Sequence, residues 1–245
     1  MTSQLWGRDR ASGYDEAVGD MAAPDAIEPV VEFLAPLAQP GGRALEFAIG
    51  TGRIALPLSE RGVSVAGIDT SEAMLDVLRA KPGTDRLEIV IGDMSTGTVG
   101  GGFDVVYLVF NTISNLLIQA AQVACFRNAA RHLRPGGHFV IELEVPDLRR
   151  LPIGAVAVPF TVAEDRVGFD TYDLLNQRLT SHHYRITEGK ASVVHSEHRY
   201  AWPAELDLMA ELAGLEKKER WADWKRAEFT ADSPSHVSVW QKPQT

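Results

Sequence analysis

The chain has 245 residues, of which 45% are hydrophobic and 23% charged, so it can bury a sizeable core. A net charge of −9 argues against general binding to nucleic acid or an anionic membrane, since both reward a basic surface. The one cysteine, Cys125, excludes an intrachain disulfide and a cysteine-rich metal site, and no apolar stretch is long enough to span a bilayer.

Residues 1–23 are polar and mixed and read as a tail or lid, with Tyr14 its notable aromatic. Their start lacks the basic and apolar pattern of a signal, so a cytoplasmic protein is expected. A helix is expected from Pro24 to Ala38, with Ile27, Val30, Val31, Leu34 and Leu37 on one face. The apolar run Ala44 to Phe47 then ends in the turn Ala48-Ile49-Gly50-Thr51-Gly52-Arg53, and a helix over 53–61 follows. A second run, 63–68, ends in Asp69, and Ser71 can cap the next helix. Short strands are expected at 87–91 and 103–110, a helix at 119–133 and a strand at 138–145. Apolar runs alternating with helices predict a doubly wound α/β sheet, mostly parallel. Residues 147–202 hold two extended runs, 170–186 and 192–202, with Glu188-Gly189-Lys190 as the turn. They read as an antiparallel β insertion. A helix from Pro203 and two strands, 215–221 and 236–240, complete the chain.

The glycine turn has two readings. Gly50-Thr51-Gly52-Arg53-Ile54-Ala55 satisfies the relaxed dinucleotide fingerprint, which suggests an NAD(P)-dependent oxidoreductase. Glu46 speaks against it, because a carboxylate at this strand end repels a pyrophosphate and favours a cation. S-adenosylmethionine carries an ammonium and a sulfonium and no phosphate. No Tyr-x-x-x-Lys pair occurs anywhere in the chain.

Glu46 to Arg53, then Asp69, then Gly92-Asp93-Met94, resembles the motif series of class I S-adenosylmethionine-dependent methyltransferases of the small-molecule type. Ala48 stands where the family has glycine. The resemblance runs from about Tyr14 to the C-terminus and implies seven strands, the last antiparallel. It is similar to the amino-sugar N-methyltransferases, which carry a β insertion after the fifth strand to cover the substrate. It implies a division into a lid (1–23), a cofactor domain (24–146 and 203–245) and the insertion (147–202).

The resemblance gives S-adenosylmethionine as cofactor and each site residue a role. Glu46 faces the methionine end, with Ala48, Gly50, Thr51 and Gly52 leaving room. Arg53 is suited to the cofactor carboxylate, and Asp69 to the ribose hydroxyls. Thr70 and Met74 lie near in sequence. Asp93 accepts from the adenine amine with Met94 against the ring. Phe110 and Asn111 end the fourth strand beneath the methyl group.

A hydroxyl or protonated-amine acceptor needs a base. The candidates are Tyr14, His182, His183, His198, Glu144 and His236, with Tyr14, His182 and Asn111 taken forward as catalytic. His182, Tyr184, His198 and Tyr200 are expected on one face of the insertion. No metal is expected, because His195 and His198 splay apart on a strand. The expected acceptor is a small molecule rather than nucleic acid or membrane, methylated on nitrogen or oxygen, by a monomer or homodimer. Binding of S-adenosylmethionine without methyl transfer is the other alternative.

Overall fold

The computed structural model describes residues 11, 13–17, 19–39, 41–146, 148 and 151–244. The expectations for residues 1–10 lie outside this range. A short helix, α1 (Tyr14–Ala17), precedes the long α2 (Pro24–Ala38), which forms where its apolar spacing predicts. The chain then alternates through β1 (Arg43–Phe47), α3 (Ala55–Glu60), β2 (Ser64–Asp69), α4 (Glu72–Arg79), β3 (Glu88–Ile91) and β4 (Phe103–Leu108). Next come α5 (Gln119–His132) and β5 (Leu133–Glu144). The insertion holds β6 (Ala157–Val162), β7 (Arg166–Asp173), β8 (Arg178–Thr187) and β9 (Lys190–Arg199). Helix α6 (Pro203–Leu212) and strands β10 (Glu216–Trp221) and β11 (Ser235–Gln241) end the chain. Among the described residues, no helix is long and apolar enough to cross a membrane.

Seven strands form one sheet in the order β10-β11-β5-β4-β1-β2-β3. The first five in sequence are parallel, while β11 runs antiparallel to both β5 and β10. The order reverses between β1 and β4, and the carboxyl ends there form the crevice where open α/β sheets take ligands. Each face buries its own core. Helices α5 and α6 cover Phe47, Phe126, Phe139 and Trp240 on one side. Helices α2, α3 and α4 cover Ile54, Leu75, Val105 and Val140 on the other. Burial from both faces explains the consecutive apolar residues 105–108 of β4 and 139–141 of β5. Cys125 lies buried in this core.

The insertion differs from the two-run expectation. It is a four-stranded antiparallel sheet in the order β6-β7-β8-β9. The expected run 170–186 is broken by a turn after Asp173, where its Oδ1 accepts from the amides of Leu175 (3.1 Å) and Asn176 (3.2 Å). Gln177 completes that turn at φ 52°. The turn expected at Glu188-Gly189-Lys190 is one residue shorter: Glu188 and Gly189 form it, and Lys190 already pairs with Thr187 as the first residue of β9.

Candidate functional site

The turn after β1 is built on left-handed backbone at Ala48 (φ 55°), Gly50 (φ 56°) and Gly52 (φ 77°). Gly52 is required twice over, because a Cβ there would lie 2.4 Å from Leu78 Cδ1 on α4. The following helix begins at Ala55, two residues later than its apolar spacing suggests.

Asp69, at the end of β2, ties this turn down. Its Oδ2 accepts from Gly50 N–H (2.8 Å) and its Oδ1 from Ser71 N–H (2.8 Å). Burial raises its carboxyl above the ordinary aspartate range, and the Ser71, Gly50 and Thr70 amides pull the other way. Ser71 in turn caps α4 at Met74 N–H (3.2 Å), and Met74 Cε lies 3.4 Å from where a Cβ on Gly50 would be. Two strand ends and a helix start therefore share one small hollow.

Glu46 lies on β1 directly opposite Tyr107 on β4, at the reversal of strand order. It is 3% exposed, and Tyr107 Oη donates to its Oε2 at 3.0 Å. Burial pushes its carboxyl up to about 8, against the Tyr107 hydroxyl, Arg53 and the Ala55 amide. No lysine or arginine is within ion-pair distance among the described residues. Arg53 instead donates through Nη1 to Met21 O (2.8 Å), with its guanidinium 5.7 Å from the Phe110 ring.

Helix α1 closes this hollow from the N-terminal side. Asp15 accepts from Thr51 Oγ1 (2.6 Å) and pairs with Lys81 Nζ (2.6 Å). Lys81 also donates to Thr51 O (2.9 Å). Burial raises the Tyr14 phenol; Arg53 lowers it, while Asp15, Glu46 and Asp69 add to the rise. Tyr14, Glu46, Arg53 and Asp69 are thus one electrostatic neighbourhood drawn from four separate segments.

Strand β4 ends in two consecutive left-handed residues, Phe110 (φ 56°) and Asn111 (φ 58°). Phe110 N–H donates to Glu142 Oε2 (2.7 Å), and Asn111 Oδ1 accepts from Glu144 N–H (2.7 Å), both on β5. Ser114 Oγ donates to Asn111 O (2.6 Å) and meets His198 Nδ1 at 3.3 Å. Burial, with Asp170 and Glu142 nearby, raises the Glu144 carboxyl. Asp93 accepts from Ser95 N–H (2.7 Å) and Ser95 Oγ (2.5 Å) at the neighbouring strand end. Met94, expected against an adenine ring, lies instead in the core under α5, with its carbonyl held by Asn128 Nδ2 (2.9 Å).

The histidines of the insertion are sorted by register. His182 pairs across from Phe169 and His195, while His198 pairs across from Leu179. Alternation therefore puts His198, Ser181 and Asp170 on the face toward Ser114 and His182 on the other. His182 stacks on Phe169 at 4.7 Å and meets Thr171 Oγ1 at 2.9 Å. This corrects the expectation that His182, Tyr184, His198 and Tyr200 share a face, and it removes His182 from the cleft. Burial lowers His198, and Asp170 opposes that shift. His236 is also corrected: it is fully buried across the sheet from the cleft, held by Ser238 Oγ (2.8 Å), and pushed down to about 3 by burial. Sequence reasoning missed Tyr107, Glu142, Asp170, Asp15 and Lys81. Register between strands brings Tyr107, Glu142 and Asp170 to the site, and the docking of helix α1 on the glycine turn brings Asp15 and Lys81.

These residues fit a ligand with one cationic end. A buried carboxylate with a neutral hydroxyl donor suits a cation, and the glycine turn leaves backbone open beside it. A family described as methyltransferase domain matches residues 44–137. The cypemycin N-terminal methyltransferase of a Streptomyces species is 31% identical over 218 residues, spanning 82% of this chain and 88% of that protein. The CcbJ methyltransferase of Streptomyces caelestis superposes with a TM-score of 0.86 at 38% identity, over 99% of this chain and 100% of that one. CalS10 of Micromonospora echinaspora, an amino pentose methyltransferase solved with S-adenosylmethionine, shares the fold at a TM-score of 0.70 and 21% identity, over 94% and 96%. With the nicotinamide alternative thereby set aside, the chain belongs to the class I S-adenosylmethionine-dependent methyltransferases of the small-molecule type, with S-adenosylmethionine as its cofactor.

Proposed function

We propose that this enzyme methylates the nitrogen of a small-molecule amine in secondary metabolism. The observation that carries the reading is the convergence of Glu142, Glu144 and Asp170 at the cleft between β5 and the insertion. These acids accept from Phe110 N–H, from Asn111 and from Ser181 Oγ, and among the described residues none is paired with lysine or arginine. Such a cleft favours an ammonium. A relative whose name places its methyl at a peptide N-terminus supports nitrogen as the acceptor atom.

The cofactor supplies a methyl group already activated by its sulfonium. Glu46, Ala48, Gly50, Thr51, Gly52, Arg53, Asp69, Thr70, Met74 and Asp93 would hold it, with Tyr14 covering it from α1. Phe110 and Asn111 form the floor, fixed by Glu142 and Glu144, and alignment is most of what such a displacement needs. Glu144 and Asp170 hold the ammonium. His198, kept neutral by burial, receives the proton that the amine must lose. Since Ser114 Oγ donates to Asn111 O, the network assigns the proton to His198 Nδ1 and leaves Nε2 as acceptor toward Ser196 Oγ, 2.9 Å away. Residues 24–146 and 203–245 carry the cofactor, 147–202 cover the acceptor and 1–23 act as lid. The enzyme works in the cytoplasm, as a monomer or homodimer.

The test offers the enzyme S-adenosylmethionine with matched acceptors, a panel of small amines and their hydroxyl analogues. S-adenosylhomocysteine and the methylated product are followed by mass spectrometry. Methylation of amines alone is expected; methylation of the alcohols alone overturns the reading.

A further inference from the structure

We propose that Glu46 is a neutral acid in the free enzyme and that seating the cofactor drives its ionisation, releasing one proton, with Tyr107 the positioning residue that holds the carboxyl in register. The proposal rests on the placement of the cofactor given above.

Its basis is the surroundings of Glu46. The side chain is 3% exposed, and water cannot solvate a charge there. The groups that face it come from every element around it. Tyr107 on β4 donates a neutral hydroxyl at 3.0 Å, and the Ala55 amide lies at the start of α3. Asp69 on β2 adds a like charge, and Tyr14 on α1 adds a phenol. Among the described residues the nearby cation is Arg53, whose guanidinium is turned to Met21 O and the Phe110 ring. That positive charge, not in contact with Glu46, is set against a like carboxylate and the cost of burial. Burial accordingly lifts the carboxyl to about 8. A ligand cation brought into this hollow supplies the missing counter-charge and reverses the preference. The balance is simple: the Glu46 carboxyl gives one proton to bulk buffer and becomes the carboxylate partner of the ligand ammonium.

The sign follows from linkage. Binding that releases a proton strengthens as pH rises, about tenfold per pH unit for one proton, until the free-enzyme carboxyl is itself ionised. The effect is read below about pH 7, where an α-amino group with a pKa of about 7.7–8.0 stays charged.

Isothermal titration of S-adenosylmethionine into the full chain at about pH 6.5, in buffers of different ionisation enthalpy, counts the protons. About one proton released per cofactor is expected for the native enzyme and about none for Glu46→Gln. Tyr107→Phe should still release about one proton and bind about tenfold or more weakly, because the ionised carboxylate loses a donor. Normal binding with no proton released overturns the proposal and leaves the cofactor site standing. So does equal release by Glu46→Gln, which would assign the proton to another group. No binding by the native chain would overturn the cofactor placement itself.

Discussion

At Ala48 the chain turns with φ 55°, in a region where a Cβ crowds the following carbonyl. Ala48→Gly should therefore stabilise the protein by about 1 kcal/mol, since the relieved strain exceeds the entropy that glycine adds to the unfolded chain. A melting temperature higher by about 2–4 °C is the expected reading. Two of the insertion's histidines, His182 and His198, separate at the same scale. His198 meets Ser114 in the cleft, whereas His182 stacks on Phe169 behind it. His198→Ala should lower turnover by about tenfold or more through loss of a proton acceptor. His182→Ala should leave both turnover and cofactor affinity close to native, and steady-state kinetics on the pair checks both. Equal losses would mean that the strand register places the wrong face toward the acceptor.

Two elements are held to the main sheet by single polar clusters. The end of β9 is pinned by Arg199, which is 5% exposed and donates to Glu205 (2.7 Å) on α6, Gln122 (2.5 Å) on α5 and Gln177 (3.2 Å). Arg199→Ala leaves the Glu205 carboxylate without its cation, held only by Gln119 and Gln177, and Gln122 Oε1 without its donor, at a cost of about 3 kcal/mol. Hydrogen exchange should show β8 and β9 loosened first, while β1 and β4 stay protected. Helix α1 is held by Asp15 on Lys81 and Thr51, a more exposed contact. Lys81→Ala should speed proteolysis near residues 14–22 with little change in overall melting. Although burial opposes it, the Asp15 carboxyl is held below the ordinary aspartate range by its bonds to Lys81 and Thr51. A depressed carboxyl contributes its stability above its unfolded pKa of about 3.9 and loses it as pH falls through the lower folded value. The latch therefore holds at neutral pH and opens only in acid.

Over the whole molecule, what was legible in the sequence was local. Apolar runs carrying Glu46 and Asp69, with the glycine turn and a helix between them, marked the cofactor side of a parallel sheet because each acid lies at the carboxyl end of its strand. The strand count of the insertion depended on a turn that its residues disguise. Leu174 and Leu175 continue an apolar pattern, yet both are exposed at the tip of the hairpin. The signal present was Asp173 with Asn176, two turn formers: Asp173 caps the Leu175 and Asn176 amides, and the Asn176 side chain donates to Asp173 Oδ2. A separate one-residue difference exchanged His182 for His198: the β8–β9 turn is Glu188-Gly189, with Lys190 already paired to Thr187, rather than the expected Glu188-Gly189-Lys190. Tyr107, Glu142 and Asp170 were beyond reach for a different reason. Each is an ordinary strand residue until the register of β4, β5 and β7 sets it beside Glu46, Asn111 or Glu144. The tryptophans divide similarly: Trp240 is core, while Trp202 is 41% exposed at the start of α6.

The central claim is that S-adenosylmethionine sits over the β1 and β2 strand ends, with Asp69 taking the ribose hydroxyls. The most direct test is to titrate S-adenosylmethionine calorimetrically into native enzyme and Asp69→Ala. The account predicts that the variant binds about 1–3 kcal/mol more weakly, because buried hydroxyls lose their acceptor and Gly50 N–H is released. Affinity equal to that of the native enzyme would contradict it and move the cofactor elsewhere.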